Sequence, residues 1–346
     1  MHRRLFLSTA AATAALAAPG KVKVAFLGIG HSHFSGKYKA ALDNSDYEIA
    51  GVADDDPARK AAGQKDPRLA GAKWMTEAEL LKDPSIQLVI VECAAWEAIP
   101  LGKKVIAAGK HLHIEKPPGN EWAPFKALVE DARKKGVIIQ TGYLWRWHKG
   151  VVDAIAAAKQ GWLGEVFMVK ADMSADRDQG QRDVEAKYKG GGLFELSGHV
   201  IDRVIEILGR PKTVKSWLRH DTSVKDKLAD NNVAVFEYDK ALAVITQSAK
   251  KAGAGDLRSL EINGTEGTIV LHPEANPIGM RVFMKKANGP YKAGWQTVAI
   301  PPQPRFVEDF KELAQAIINK KPLKHSYDHE LLLHETLLRA SGELSQ

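Results

Sequence analysis

The chain is poor in cysteine, in long apolar runs and in charge of one dominant sign. Its 346 residues hold one cysteine, Cys93, which excludes an internal disulfide framework and a cysteine-built zinc site. No stretch approaches the roughly 20 apolar residues of a membrane helix, which excludes a polytopic membrane protein. Lys and Arg total 49 against 42 Asp and Glu, a net +7. The basic residues are scattered rather than gathered in a stripe, so nothing points to nucleic acid. With 45% hydrophobic and 26% charged residues, the chain is too apolar and too balanced for wholesale disorder. Its length suits two domains, each with its own core. There is no internal repeat and no low-complexity linker.

The first twenty residues read as an address. Arg3-Arg4-Leu5-Phe6-Leu7 resembles a twin-arginine export signal, followed by an Ala/Thr/Leu stretch to Ala18. That stretch is too short for a stable membrane span, and Ala15, Ala17 and Ala18 suit a signal peptidase before Pro19-Gly20. The expectation is a signal at 1–20 and a periplasmic or secreted protein. The alternative is an unstructured leader on a cytoplasmic one.

Residues 21–143 read as a dinucleotide-binding domain. Lys21–Leu27 is an apolar strand, Gly28-Ile29-Gly30 follows, Ser32–Leu42 has helical spacing, and Glu48–Ala53 is a second strand ending in Asp54. Strand, glycine turn, helix, strand and acid in that order make a Rossmann unit. The glycines let a pyrophosphate approach bare N–H groups at a helix N-terminus. Asp54 is placed for the adenosine ribose hydroxyls and would repel a 2′-phosphate, so NAD is favoured, with NADP the alternative. The pattern G-x-G-x-x-G/A has His33 where a small residue is usual, predicting looser packing or a ring turned to the phosphates. Further helices are expected from Asp56-Pro57, over Thr76–Leu81, Ile99–Ala108 and Trp122–Lys134. Strands are expected over Ile86–Val91, His111–Ile114 and Val137–Tyr143. The sum is an α/β Rossmann domain with a doubly wound parallel sheet. Its crevice lies at the carboxyl ends of the strands, where Cys93, Ala94, Glu115, Lys116 and Tyr143 fall.

Residues 144–346 change character. A helix over Val151–Gln160 precedes β-rich segments at 165–173, 213–219, 233–238, 241–248, 260–263 and 268–271, with a hairpin turn at Asp239-Lys240. This predicts an α+β domain with a large open, mostly antiparallel sheet. One helix interrupts at 193–208, and two close the chain at 306–319 and 329–341, with a return toward the first domain.

Four motifs carry a family resemblance. They are Gly28-Ile29-Gly30; Ala108-Gly109-Lys110-His111 leading to Glu115-Lys116-Pro117; Gly190-Gly191-Gly192; and Glu195-Leu196-Ser197-Gly198-His199 with Asp202. The chain resembles the oxidoreductases named for glucose-fructose oxidoreductase, inositol dehydrogenase and MocA. The resemblance implies NAD(P) held by Gly28, Ile29, Gly30, His31, Ser32, His33, Asp54, Cys93, Ala94, Glu115, Lys116 and Arg146. It implies a sugar or polyol facing Lys116, Tyr143, Trp145, Trp147, Glu195 and His199, with Lys116, His199 and Glu195 catalytic. Where the family usually has Asp, this chain has Glu195.

The residues themselves support those roles. A partly desolvated lysine at a strand end, beside a cationic ring, is a usable proton acceptor. Glu195 and His199 are four apart, one face of a helix, so the carboxylate would set the imidazole's tautomer, with Asp202 behind it. Arg177, Asp178, Gln179 and Arg182 form a polar segment suited to a substrate loop. The His31/His33 and His111/His113 pairs lack a third ligand in sequence, so no metal is expected. Export adds a constraint: extracytoplasmic spaces hold little free NAD, so the cofactor should be tightly bound and recycled. The expected activity is hydride transfer on a sugar or polyol hydroxyl. An NAD-dependent glycosidase using transient C3 oxidation and elimination is one alternative, and a sugar sensor without turnover is another. The open sheet predicts a homo-oligomer.

Overall fold

The computed structural model describes residues 20–345; the expected signal, but for Gly20, lies outside them. The first half alternates strands with helices, two of them between β2 and β3: β1 (Val22–Leu27), α1 (Phe34–Asp43), β2 (Tyr47–Ala53), α2 (Pro57–Gln64), α3 (Glu77–Lys82), β3 (Leu88–Val91), α4 (Ala95–Ala107), β4 (His111–Ile114), α5 (Trp122–Lys135) and β5 (Ile139–Thr141). The strands pair in parallel in the order β2-β1-β3-β4-β5. β3 is Leu-Val-Ile-Val, buried throughout, because helices cover both faces of a parallel sheet. The helices start where their caps dictate. Asp56 accepts from Arg59 N before Pro57, and Thr76 with Glu79 forms a capping box.

The second half holds α6 (Lys149–Lys159), β6 (Val166–Asp172), α7 (Gln179–Glu185), α8 (Gly192–Glu195), α9 (Gly198–Leu208), β7 (Thr213–Arg219), β8 (Asn231–Glu237) and β9 (Leu242–Ser248). It continues through α10 (Ala254–Leu257), β10 (Ser259–Gly264), β11 (Gly267–His272), β12 (Gly279–Met284), β13 (Gly294–Ala299), α11 (Val307–Ile318) and α12 (Tyr327–Ala340). Eight strands form one sheet, β13-β12-β11-β10-β6-β9-β8-β7. All pairs are antiparallel except β6 with β9, so the sheet is mixed. The inner residues of β8 and β9 (Ala234, Phe236, Ala243, Ile245) pack with α9 residues Val200, Ile201 and Val204 in one core. The other face is open, with Trp217 and Trp295 more than half exposed.

Several expectations needed adjustment. β5 is three residues long. β12 and β13 were not foreseen, because Gly279–Met284 and Gly294–Ala299 lie among Pro, Gly and Lys residues that read as loop. The helix expected over 193–208 is two helices, α8 and α9. The closing helices span both halves: Phe310, Leu313 and Ile317 of α11 sit in a core with β1 and α1, while Leu333 and Leu337 of α12 join the second-half core.

Candidate active site between the two sheets

The glycine turn is built from backbone close approach. Gly28 has φ +85°, and a Cβ there would lie 2.9 Å from the Glu92 carbonyl oxygen, so only glycine fits. Gly28 N donates to Ala53 O and Gly30 N to Glu92 O. Asp54, almost fully buried at the end of β2, accepts from Ile29 N at 2.9 Å and from Asp56 N at 2.9 Å. Arg59 Nε lies 3.2 and 3.0 Å from its two oxygens. A cavity of about 290 Å³ opens beside Gly28, Asp54, Arg59 and Trp96. Bare backbone, a helix N-terminus, a carboxylate and an adjoining slot suit a dinucleotide.

Lys116 sits just past β4, with 4% of its side chain exposed, and reaches across to the second domain. Its Nζ donates to the Glu195 carbonyl oxygen at 2.9 Å and to Glu195 Oε1 at 3.0 Å. That bond falls at a helix break, where His199 N donates to Leu196 O at 3.3 Å rather than to Glu195 O. The glycine triplet permits the tight entry. Gly191 has φ +49°, and a Cβ on it would strike Leu228 and Ala229 O.

His199 heads α9 with its ring edge-on to Tyr143, centroids 5.6 Å apart. Its Nδ1 is buried with no partner among the described residues. Burial, reinforced by the Lys116 charge, holds its pKa well below that of an ordinary imidazole, so the ring is neutral. Beside Lys116 lies a cavity of about 370 Å³ with walls from both domains, including His31, Trp96, Tyr188 and Glu195.

Beneath the turn is a buried ionic layer. Lys37 of α1, fully buried, donates to Glu92 Oε1 at 2.6 Å and to Glu115 Oε2. Burial pushes the Lys37 ammonium down, but the two carboxylates outweigh it and raise its pKa. His31 Nδ1 accepts from His33 N–H at 3.2 Å, so the His31 proton is on Nε2. His33 Nδ1 lies 3.1 Å from Glu115 Oε1 and donates to it. Donor atoms of His31, His33 and Glu115, and of Glu92, His113 and Glu115, come within 4.8 Å of one another. Lys37 balances one of these two carboxylates, and burial raises the pKa of the other, Glu92, to about 8.

Two family models match this chain. One, described as an oxidoreductase family with an NAD-binding Rossmann fold, matches residues 22–143. The other, the GFO/IDH/MocA C-terminal domain, matches residues 151–270. The chain belongs to the Gfo/Idh/MocA oxidoreductase family.

It is 28% identical to scyllo-inositol 2-dehydrogenase (NAD(+)) of Bacillus subtilis (strain 168), over 62% of this chain and 64% of that protein. It is 27% identical to trans-1,2-dihydrobenzene-1,2-diol dehydrogenase of Oryctolagus cuniculus, over 54% and 57%. The matches thus span somewhat under two-thirds of these relatives. The fold is shared with aldose-aldose oxidoreductase from Caulobacter crescentus at TM-score 0.78 and 19% identity, covering 93% of this chain and 98% of that one. The Gfo/Idh/MocA chain therefore carries an NAD-binding Rossmann domain.

The structure gathers Gly28, Ile29, Gly30, His31, Ser32, His33, Asp54, Ala94, Glu115, Lys116, Tyr143, Glu195 and His199 around this crevice and the ionic layer below it. Cys93 packs under Gly28, and burial raises its thiol's pKa far above the ordinary value. Other expectations are corrected. Glu195 pairs with Lys116, and no hydrogen bond joins it to His199 among the described residues. The ring of His33, expected at the phosphates or in looser packing, is partly exposed with its Nδ1 turned to Glu115. Arg146 is a structural residue: buried, it pairs with Asp202 at 3.0 Å and with Glu330 at 2.5 Å. Asp202 is thereby turned from His199 toward Arg146, Arg203 and His329. Trp145 donates to Glu274 and Trp147 to Glu312, and both line a separate cavity beside Phe306. Asp178 caps α7, Arg177 pairs with Glu185, and buried Arg182 pairs with Asp226 and Asp230. Sequence reasoning missed Lys37, Arg59, Glu92, Trp96 and Tyr188. Only Lys37 left a trace, a lysine on the inward face of α1.

Trp96 and Lys187 meet across the crevice, Nζ 4.0 Å from the ring centroid. Such a cation–π contact at a half-exposed site is worth about 0.5–1 kcal/mol. Trp96→Ala is expected to raise the NADH dissociation rate about two- to fivefold in stopped-flow fluorescence; an unchanged rate would exclude a retaining role for this contact.

Buried titrating groups also set the pH range of stability. Burial lowers His31, His113 and His334 to about 3, and His199 well below its ordinary value. The unfolded chain protonates each near pH 6.5. Stability is therefore lost as pH falls below about 6.5, by up to about 1.4 kcal/mol per pH unit per histidine. Asp309 acts oppositely. Burial raises it to about 7, so its contribution is lost as pH rises toward 7. Burial likewise raises Glu92. His111, His148 and His325 are lowered as well, and Glu185 is raised, so the histidines outnumber the raised carboxyls below pH 6.5. The urea-unfolding free energy should peak near pH 6.5, and a flat profile from pH 5 to 8 would contradict this balance.

Proposed function

We propose that the protein is an NAD-dependent oxidoreductase acting on a hydroxyl group of a sugar, polyol or related compound by hydride transfer. The observation that carries this is the clamp of Lys116 onto Glu195 from the other domain, beside a neutral His199. When bound, NAD supplies the hydride acceptor. Lys116, held as a donor, polarises the oxygen of the forming carbonyl. His199, neutral, takes the hydroxyl proton. Glu195 holds the Lys116 ammonium in place. The curated relatives, an inositol dehydrogenase and a dihydrodiol dehydrogenase, support a vicinal-diol or cyclitol-like substrate.

The leader at residues 1–20 supports export of the folded protein with NAD already bound, and hence internal recycling between two substrates. The open outer face of the second sheet, with Trp217, Val235, Val244 and Trp295, supports a homo-oligomer formed through it. Denaturing the purified protein and identifying the released nucleotide tests the reading directly. NAD(H) should be released, and the holoprotein should exchange hydride with scyllo-inositol or an aldose. Bound NAD with no exchange on any polyol would leave only a sensor. A cleaved glycoside at unchanged oxidation level would instead assign redox-neutral elimination.

Asp54→Ala tests the nucleotide side. Loss of a charged hydrogen-bond acceptor costs about 1.5–3 kcal/mol, or about ten- to a hundredfold. NAD affinity should fall by that factor and NADP affinity by less; equal losses in titration calorimetry would reject a ribose contact.

A further inference from the structure

A cavity larger than the crevice at Lys116 opens elsewhere on the Rossmann sheet. It measures about 560 Å³ and lies at the opposite edge, where Gln87 leads into β3, His111 begins β4 and Ile138 leads into β5. Its body is apolar, walled by Ile138, Ile139, Ile317, Leu323 and Tyr327. Its charged groups are of one sign. Lys320 and Lys321 line it with Gln87, Ser326 and two histidines whose pKa burial lowers, His111 and His325, and no aspartate or glutamate does. Both lysines are exposed, at the end of α11, where Lys320 takes φ +52°.

The polar walls are already fixed. His111 Nδ1 accepts from Ile138 N at 2.9 Å, which puts its proton on Nε2, a donor. Tyr327 OH donates to Val137 O at 2.7 Å. His325, buried, lies between the cavity and α9, with Nε2 3.2 Å from Glu206 Oε2 and 3.1 Å from an Arg203 nitrogen. A preformed apolar slot with a few oriented donors and cations at its mouth is the usual make-up of a small-molecule site.

We propose that this cavity is a second ligand site, separate from the NAD crevice, for a small ring compound bearing one carboxylate. The ring lies against Ile138, Ile317, Leu323 and Tyr327. The carboxylate meets Lys320 and Lys321.

Naphthalene-1-carboxylate, titrated into the NAD-loaded protein by calorimetry, tests this against its neutral carboxamide. One acid molecule should bind per chain without displacing NAD, and the carboxamide should bind several-fold more weakly. Lys320→Ala/Lys321→Ala removes two exposed charges and should weaken the acid about two- to tenfold while leaving the carboxamide unchanged. Ile317→Trp, which fills the slot, should abolish uptake of both, with circular dichroism confirming the fold. Equal binding of acid and carboxamide, unaltered binding by the lysine variant, or competition with NAD would each overturn the proposal. So would binding that appears only after residues 1–20 are removed, because the cavity would then belong to the chain's own leader.

Discussion

Lys116→Ala is expected to cut turnover by about a hundred- to ten-thousandfold, the range for loss of a positioned acid–base group, while NAD stays bound. The nucleotide site proposed at Asp54, Gly28 and Gly30 shares no side-chain hydrogen bond with Lys116, whose Nζ contacts Glu195. The lost group is the amine that bridges the two domains, 2.9 Å from the carbonyl oxygen of Glu195 and 3.0 Å from its carboxylate. With Nζ gone, Glu195 loses the contact that ties its carbonyl and carboxylate to the first domain. Steady-state kcat with scyllo-inositol, together with NAD released on denaturation, checks both halves. Turnover within threefold of wild type would remove Lys116 from the chemistry. Loss of NAD along with activity would move its role to cofactor binding.

Lys37→Met is expected to cost about 3–5 kcal/mol of stability at pH 7, the usual penalty for stripping one partner from a buried ionic group. Glu92 and Glu115 would be left facing each other, both buried, with Glu92 Oε2 already lacking a partner. Burial raises the pKa of Glu92. That pKa is about 8 with Lys37 in place, so the cost should be largest above pH 8 and shrink as the pH falls through it and Glu92 takes up a proton. Combining Lys37→Met with Glu92→Gln should recover part of the loss by removing one of the two charges. Urea unfolding of the three proteins measures this, and a single variant within 1 kcal/mol of wild type would mean that the layer is not ionised as drawn.

These cases show how far local pattern reaches. Period-two and continuous apolar runs placed β1 to β4 and β6 to β11 near their observed positions. Glycine, cap and proline signals placed α1 to α5. The acid after β2 and the Glu-Lys-Pro step after β4 followed from position along the chain, since a parallel sheet sends every strand's carboxyl end to one edge. The spacing of Glu195 and His199 misled for a physical reason. Four residues define a helix face only while the helix is unbroken; here it breaks at Leu196–Ser197, and Lys116, 79 residues before Glu195, holds that carboxylate. Arg146 misled similarly: its neighbours in sequence lead into the crevice, yet Asp202 and Glu330 draw it into the interior.

By itself, then, the sequence determined the two-domain plan, the glycine turn, the acid after β2 and the lysine at the crevice, because each is marked by residue types and spacings local to the chain. Only the tertiary structure decided the partners of the charged groups. A buried charge must find an opposite charge or a carbonyl wherever the fold supplies one, and Lys37 with Glu115, Lys116 with Glu195 and Arg146 with Glu330 meet across 78, 79 and 184 residues of chain.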